Sequence, residues 1–363
     1  MSNELSHFEH QPPGNVGPVA RFLKNVITSK YIPFWTFHVP TVPYIAFLAL
    51  KARSPFFFGA TNPCMADHGF RPMTKHQLLD QIDPTFLPKT IVVERDANLD
   101  EVEKTLGEAG LTYPIVAKPN RGERGWRVEK VRDRESLQSY LNNSNCQVIL
   151  QEYLSQPHEL GVFYWRMPGE KKGHISSIVR KELYQVVGDG KSSLGNLVEA
   201  QPEKLRFFPA VRENFADRMD DIIPDGEIVV LDIVGHMSHG TVFKAANALV
   251  NERVCETFDQ ISAGIDGFYY GRYDVKVADL ARFQTGEAPK VLEINLTASI
   301  PSHIFDPEVS IWEAYRVMFY HWNVLYEIAR ANNRRGVPYI RISQAVNYLK
   351  RMAQRRLTQE STS

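Results

Sequence analysis

The sequence predicts an α+β fold: a strand-rich middle flanked by helices. Three observations support this. Short β-branched and apolar runs recur between residues 89 and 296, bounded by Gly and Pro turns. Helical spacing is confined to short charged stretches and one long aromatic stretch, 310–332. Strands often follow one another directly, without the regular helix–strand alternation of a doubly wound sheet. At 363 residues the chain is long enough for about two or three lobes.

The elements are expected in the following order. The opening "MSNELSHFEHQPPGNVGP" is polar and rich in Pro and Gly, which predicts disorder over 1–30 and no signal peptide. Residues 31–50, "YIPFWTFHVPTVPYIAFLAL", carry no formal charge. Pro33, Pro40 and Pro43 argue against a transmembrane helix there, because each removes a helical donor. Core, or a surface facing a membrane or partner, remain the readings of this stretch. A short apolar lobe is expected over 31–110, with "SPFFFGATNP" (54–63) read as a buried strand. Thr74 is placed to cap a helix over "KHQLLDQI" that Asp83-Pro84 stops. "KTIVVE", "YPIVAKP" and "QVILQEYL" are read as strands, with a helix over 132–141.

Antiparallel strands are expected over 158–200, turning at Pro168-Gly169 and at Gly188-Asp189-Gly190, with a helix from Ser192 or Ser193. "EIVVLDIVG", "GFYYGRYDVKV" and "VLEINL" are read as further strands. These compose a central domain over 111–305, its two halves meeting near 150–160. A helix follows over 306–336, on which Trp312, Tyr315, Phe319, Trp322 and Tyr326 recur at helical spacing. The end, 337–363, is a basic tail: from Arg334 onward seven basic residues face one acid, Glu360.

Charge excludes one class of function. Lys plus Arg is 42 and Asp plus Glu is 42, so no overall field draws nucleic acid. The three cysteines, Cys64, Cys146 and Cys255, form no C-x-x-C pair, which predicts neither a zinc knuckle nor a disulfide framework and suits a reducing cytoplasm.

Polar residues break the apolar rhythm at two strands. Side chains alternate faces along a strand, so Arg272 and Asp274 share one face, and so do Glu293 and Asn295. Carboxylates and an amide in an apolar setting are costly unless paired. Oxygen ligands of this type suit Mg²⁺ held by one or two carboxylates together with substrate phosphates. A buried Arg–carboxylate pair tying two strands together accounts for them equally. Lys118 ends an apolar strand, where a lysine calls for an anionic partner. The following "NRGERGWRVEKV" contains Gly122 and Gly125, which permit close backbone approach to phosphates or form a surface hairpin. Glu152 and Glu159 lie seven residues apart across a strand-to-loop hinge.

Taken in order, these residues resemble the ATP-grasp enzymes, nearest to D-alanine–D-alanine ligase and the cyanophycin-synthetase-like carboxylate–amine ligases. "GRYDVKV", with Glu293 nineteen residues after Asp274 in "EIN", is the most specific match; "IVAKP", the "QEYL…E" hinge and "VVGDGKSSLGNLVE" extend it over residues 72–305. The resemblance implies an ATP-grasp fold, two α+β lobes gripping ATP, here with a short apolar N-terminal lobe and a C-terminal helical extension. It implies that Lys75 and Lys118 contact nucleotide phosphates, that the loop of Gly122, Arg124 and Gly125 closes over them, and that Lys181 or Arg180 is the basic residue on the phosphate side. Glu152, Tyr153 and Leu154 would meet adenine, and Glu159 the ribose. Asp274, Glu293 and Asn295 would hold Mg²⁺, as a pair of ions, with Mn²⁺ as an alternative; Arg272 would face the transferred phosphoryl group.

The implied reaction is ADP-forming ligation of a small-molecule carboxylate to an amine through an acyl-phosphate. A phosphotransferase, a carboxylate–thiol ligase and a non-catalytic ATP-binding regulator stay open as alternatives. The loop departs from the Ser/Gly-rich family pattern, so Arg124 stands where hydroxyls are usual. His236, His239 and Asn247 in "GHMSHGTVFKAAN" are read either as orienting an amino substrate or as structural. The expected location is cytoplasmic, and the reading admits a homodimer and peripheral contact with the inner membrane face.

Overall fold

The computed structural model describes residues 38–65, 75–120, 126–201, 204 and 207–347. It has the expected α+β architecture, built on two main antiparallel sheets. The first takes the order β1 (Thr90–Val93), β4 (Val148–Glu152), β2 (Ile115–Pro119), β3 (Glu129–Val131). Helices Leu99–Glu108 and Arg134–Asn142 cover one face, burying Leu106 and Leu137 against Ile115, Ala117, Val148 and Leu150. Each helix begins where its sequence supplies a cap. Asn98 accepts from the Asp100 N–H, and Asp133 and Ser136 form a reciprocal capping box.

The second sheet runs β11 (Lys290–Asn295), β10 (Tyr270–Val277), β5 (His158–Trp165), β6 (His174–Glu182), β9 (Val242–Ala245). Its apolar face, including Leu160, Val162, Tyr273 and Val275, packs on Val254, Phe258 and Ile261 of helix Glu252–Ala263. That burial leaves the opposite face to carry the polar residues of β10. A small third pair, β7 (Gln185–Val187) with β8 (Ile228–Val230), shares a core of Tyr184, Leu194, Val198 and Leu231.

Of the 31–110 stretch, the described residues divide in space. Helix Val42–Ala52 packs on the long helix Ile311–Arg334, with Leu48, Phe57, Ala60, Tyr326 and Ala329 buried together. Strand β1 and helix Leu99–Glu108 join the first sheet instead. The outer face of helix Val42–Ala52 leaves Val42, Phe47 and Leu50 exposed. No described helix is long and apolar enough to cross a membrane.

Two local expectations need correction. "SPFFFGATNP" holds no strand: Phe57–Ala60 is a 3-10 turn. Successive strand side chains point opposite ways, whereas Phe57 packs edge-on to Tyr326 and Phe58 edge-on to Trp322, rings of the same helix. "EIVVLDIVG" is a strand only over Ile228–Val230. Beyond it the Leu231 and Asp232 N–H groups both donate to the Tyr184 carbonyl and Asp232 accepts from the Val234 N–H, which turns the chain out of the ladder.

Candidate active site

The polar face of the second sheet forms the floor of a cleft of about 1530 Å³ between the sheets, and residues of the first sheet line its other side. Strands β10 and β11 pair antiparallel with Arg272 opposite Asn295 and Asp274 opposite Glu293. The two polar pairs read from the sequence therefore meet in register.

Arg272 grips Asp274 with two donors, Nε to Oδ1 at 2.8 Å and Nη2 to Oδ2 at 3.1 Å. Its Nη1 donates to Ser302 Oγ at 2.9 Å. From β6, Lys181 Nζ reaches Asp274 Oδ2 at 3.0 Å and Glu159 Oε1 at 2.9 Å. Asn295 Nδ2 donates to Asp274 Oδ2 at 3.1 Å. Lys276 Nζ lies 4.0 Å from Glu159 Oε2 and donates to the Gln156 carbonyl. These groups form one network in which Arg272, Lys181 and Lys276 share the carboxylates of Asp274 and Glu159. Gly235 closes it from above: a Cβ there would sit 2.3 Å from Glu159 Oε1, so any larger residue would displace the Glu159 side chain.

Burial would push the Asp274 carboxyl up, but the charges of Arg272 and Lys181 override it and hold the group well below the usual carboxylate range. Burial likewise works against the Lys181 ammonium, and Asp274 and Glu159 outweigh it and raise the group above its usual value. Arg272 is raised in the same way, burial being offset by Asp274 and Glu293. Asp274, Lys181 and Arg272 are therefore all charged at neutral pH.

Lys118, on β2, faces the same cleft. Its Nζ donates to Gln151 Oε1 at 2.9 Å and crosses to the Leu292 carbonyl of β11 at 3.2 Å. Glu152, Tyr153 and Leu154 lie where β4 leaves the first sheet toward β5. Glu152 is tied at both ends to Lys89: its N–H donates to the Lys89 carbonyl, and its Oε2 accepts from the Lys89 N–H. Lys130 Nζ sits 3.7 Å from the centre of the Tyr153 ring. Glu159 is not on the hinge but inside the buried cluster. Lys75 opens a short helix, and its side chain lies outside the described residues, as do Gly122, Arg124 and Gly125.

Arg180 lines the exposed part of the cleft, paired with Glu182, so Lys181 is the residue of the two inside the buried cluster. His236 lines the cleft, whereas His239 pairs with Asp232 and Asn247 accepts the Ile178 N–H, fixing the edge of β6. Lys276 and Ser302 were missed by sequence reasoning. Lys276 was within reach, since it continues the 272, 274 alternation on one face of β10. Ser302 lies past β11 at the start of a 3-10 turn, Ser302–Phe305, too short for any period to mark.

The donor chemistry fits a hard cation shared with phosphate: Asp274, Glu293 and Asn295 offer oxygen ligands at one place. Among the described residues no group of three His, Cys, Asp or Glu side chains forms a cage that would hold a metal by itself.

No family model matches the chain, and no curated protein sequence matches it. Among solved structures, it is similar to D-alanine–D-alanine ligase from Bacillus anthracis at 16% identity, over 77% of this chain and 70% of that one, with a TM-score of 0.39. It is similar to the D-cycloserine synthetase DcsG at 16% identity, over 79% of this chain and 81% of that one, with a TM-score of 0.39. A third likeness is to the bifunctional glutathione synthetase from Pasteurella multocida, at 17% identity over 69% of this chain and only 35% of that one, with a TM-score of 0.37.

Proposed function

We propose that the protein is an ATP-dependent, ADP-forming ligase that joins a carboxylate to an amine through an acyl-phosphate. The observation that carries this reading is the buried Arg272–Asp274–Lys181–Glu159 cluster. It lies at the floor of a cleft that Lys118 lines from the opposite sheet. A structural ion pair needs one cation and one carboxylate. Here Lys181 and Arg272 converge from two strands on Asp274 and open onto space large enough for a nucleotide. The order and spacing of Lys118, Glu152, Glu159, Arg272, Asp274, Glu293 and Asn295 support the same reading.

In this proposal Arg272 and Lys118 hold anionic oxygens of the phosphoryl group, neutralising charge that develops during transfer. An incoming phosphate competes with Asp274 for Arg272 and Lys181. Asp274, Glu293 and Asn295 would hold Mg²⁺, which would supply positive charge to offset that of the phosphate. Tyr153, Leu154 and Glu152 would meet the adenine. Glu159, paired with Lys181, would accept from the ribose or orient that lysine. Lys75 and the loop of Gly122, Arg124 and Gly125 would complete the phosphate contacts. Cytoplasmic location belongs to the proposal, and the exposed Val42, Phe47 and Leu50 mark where membrane contact or self-association would fall.

The test is ADP release with Mg²⁺ and ATP, screened over pools of carboxylates and amines. Release that requires both a carboxylate and an amine is expected. Release with a carboxylate and a thiol, or with a hydroxyl acceptor alone, overturns the amine assignment. Lack of any ATP binding by calorimetry overturns the whole reading.

A further inference from the structure

A second cavity, of about 280 Å³, lies behind the segment that follows β11. Five rings line it: His38, Phe58, Tyr270, His321 and Trp322, joined by Met318 and Leu325 of the long helix. It adjoins the large cleft, because Met65, Ala298, Ser299 and Ile300 line both. On the cleft side this rim ends at Ser302, which accepts from Arg272.

The cavity offers its occupant little to hydrogen-bond. Tyr270 OH and His321 Nδ1 bond to each other at 3.0 Å. Ser299 Oγ is engaged by the Asn295 and Leu296 carbonyls, and Thr297 Oγ accepts from Asn62. None of the buried side-chain polar atoms left without a partner among the described residues belongs to the lining. Burial lowers both histidines of the lining, His321 to about 3 and His38 below its usual value, so both favour the neutral form. A cavity of about 150 Å³ with aliphatic and aromatic walls stays dry and binds benzene. This one has room for a ring and the short chain that carries it. Aromatic walls favour an aromatic guest through edge-to-face contacts.

We propose that this cavity binds an aryl group of the carboxylate substrate, whose carboxylate lies across the shared rim beside Arg272. The inference names the substrate class and so rests on the ligase reading, although ring binding can be measured without turnover. The occupant is an arylalkanoate: the ring in the cavity, a short methylene chain over Ala298–Ile300, and the carboxylate in the cleft.

The experiment is calorimetric titration of the full chain with 3-phenylpropionate, hexanoate and acetate, each in the presence of Mg²⁺ and a non-hydrolysable ATP analogue. Expected is binding of 3-phenylpropionate at least about tenfold tighter than acetate, as burial of a ring requires. Leu325→Trp fills the cavity from the helix, and Ala298→Trp plugs its mouth from an exposed position, so failure of one variant to fold leaves the other. Either should abolish the preference for the ring. Equal affinity for all three acids, or ring binding that both folded variants retain, overturns the proposal. A preference for hexanoate over 3-phenylpropionate overturns the aryl assignment. Ring binding lost in the variants, without ADP release for any acid and amine, supports the cavity and sinks the ligase reading.

Discussion

Lys181 lies 2.9 Å from Glu159 and 3.0 Å from Asp274; without it Asp274 keeps the Arg272 fork, but the buried Glu159 is left with Lys276 at 4.0 Å. Arg272 is different, because Lys181 still neutralises Asp274 when Arg272 is gone. Lys181→Met should therefore cost about 3–5 kcal/mol of stability, and Arg272→Ala less, by urea unfolding of both variants. Turnover should rank them the other way on the proposed mechanism. Arg272→Ala should spare ATP affinity and lower ADP release roughly 10²–10³-fold, because the guanidinium faces charge that develops only in transfer. Arg272→Ala that is badly destabilised yet turns over normally would reduce Arg272 to a strand tie. The same cluster sets a pH dependence. The folded-state value of Asp274 is depressed, so its stabilising contribution is full above the unfolded value near ~3.9 and disappears as pH falls through the folded one. The stability gap between wild type and Asp274→Asn should then be flat above about pH 5 and close in acid. A gap that instead widens below about pH 4 would show that Asp274 is not held ionised by its neighbours.

Asn62 shows how an irregular segment is built into the second sheet. Its Oδ1 accepts from the Tyr269 and Tyr270 N–H groups at 2.8 and 3.0 Å, and its Nδ2 donates to the Tyr270 carbonyl at 2.7 Å. The side chain acts as a missing strand partner at the start of β10, and it is buried. Asn62→Asp keeps the shape but loses both donors and adds a buried charge, so it should cost more than Asn62→Ala, itself about 2–4 kcal/mol. Thermal unfolding of the two variants checks the order, and the reverse order would mean that the amide donors contribute little. The case also marks what sequence can reveal about elements. Strands β10 and β11 were legible because polar and apolar residues alternate in them with a period of two. The pairing of Arg272 and Asp274 was legible for the same reason, and Lys276 should have been. The Phe56–Phe58 run was not, because an apolar run carries no period and its partner is a helix some 260 residues away in sequence. That Glu159 belongs with Lys181, and not with the hinge, depended on the register of β5 against β6, which places these residues opposite each other.

At the scale of the whole molecule, the two sheets meet along the edge of β11. Lys118 crosses from the first sheet to the Leu292 carbonyl, and Lys290 reaches back from β11 to the Thr85 and Leu87 carbonyls just before β1. Ammonium groups on backbone carbonyls are charge-assisted but exchangeable contacts, suited to a joint that must open for a ligand. A nucleotide bound in the cleft would touch both sheets and stabilise them jointly by mass action. Mg·ATP at a hundredfold its Kd should add about 2.7 kcal/mol, seen as a concentration-dependent rise in Tm. If the hinge backbone reads adenine, GTP at equal concentration should produce a smaller rise. Lys118→Met keeps the length of the side chain, so without nucleotide its stability should fall by no more than about 1–2 kcal/mol, the scale of the hydrogen bonds lost. The ATP-dependent rise, however, should largely vanish, because the ammonium on the first sheet's side of the cleft is gone. A Lys118→Met protein whose Tm still climbs with ATP as the wild type does would place the nucleotide elsewhere and remove Lys118 from the site.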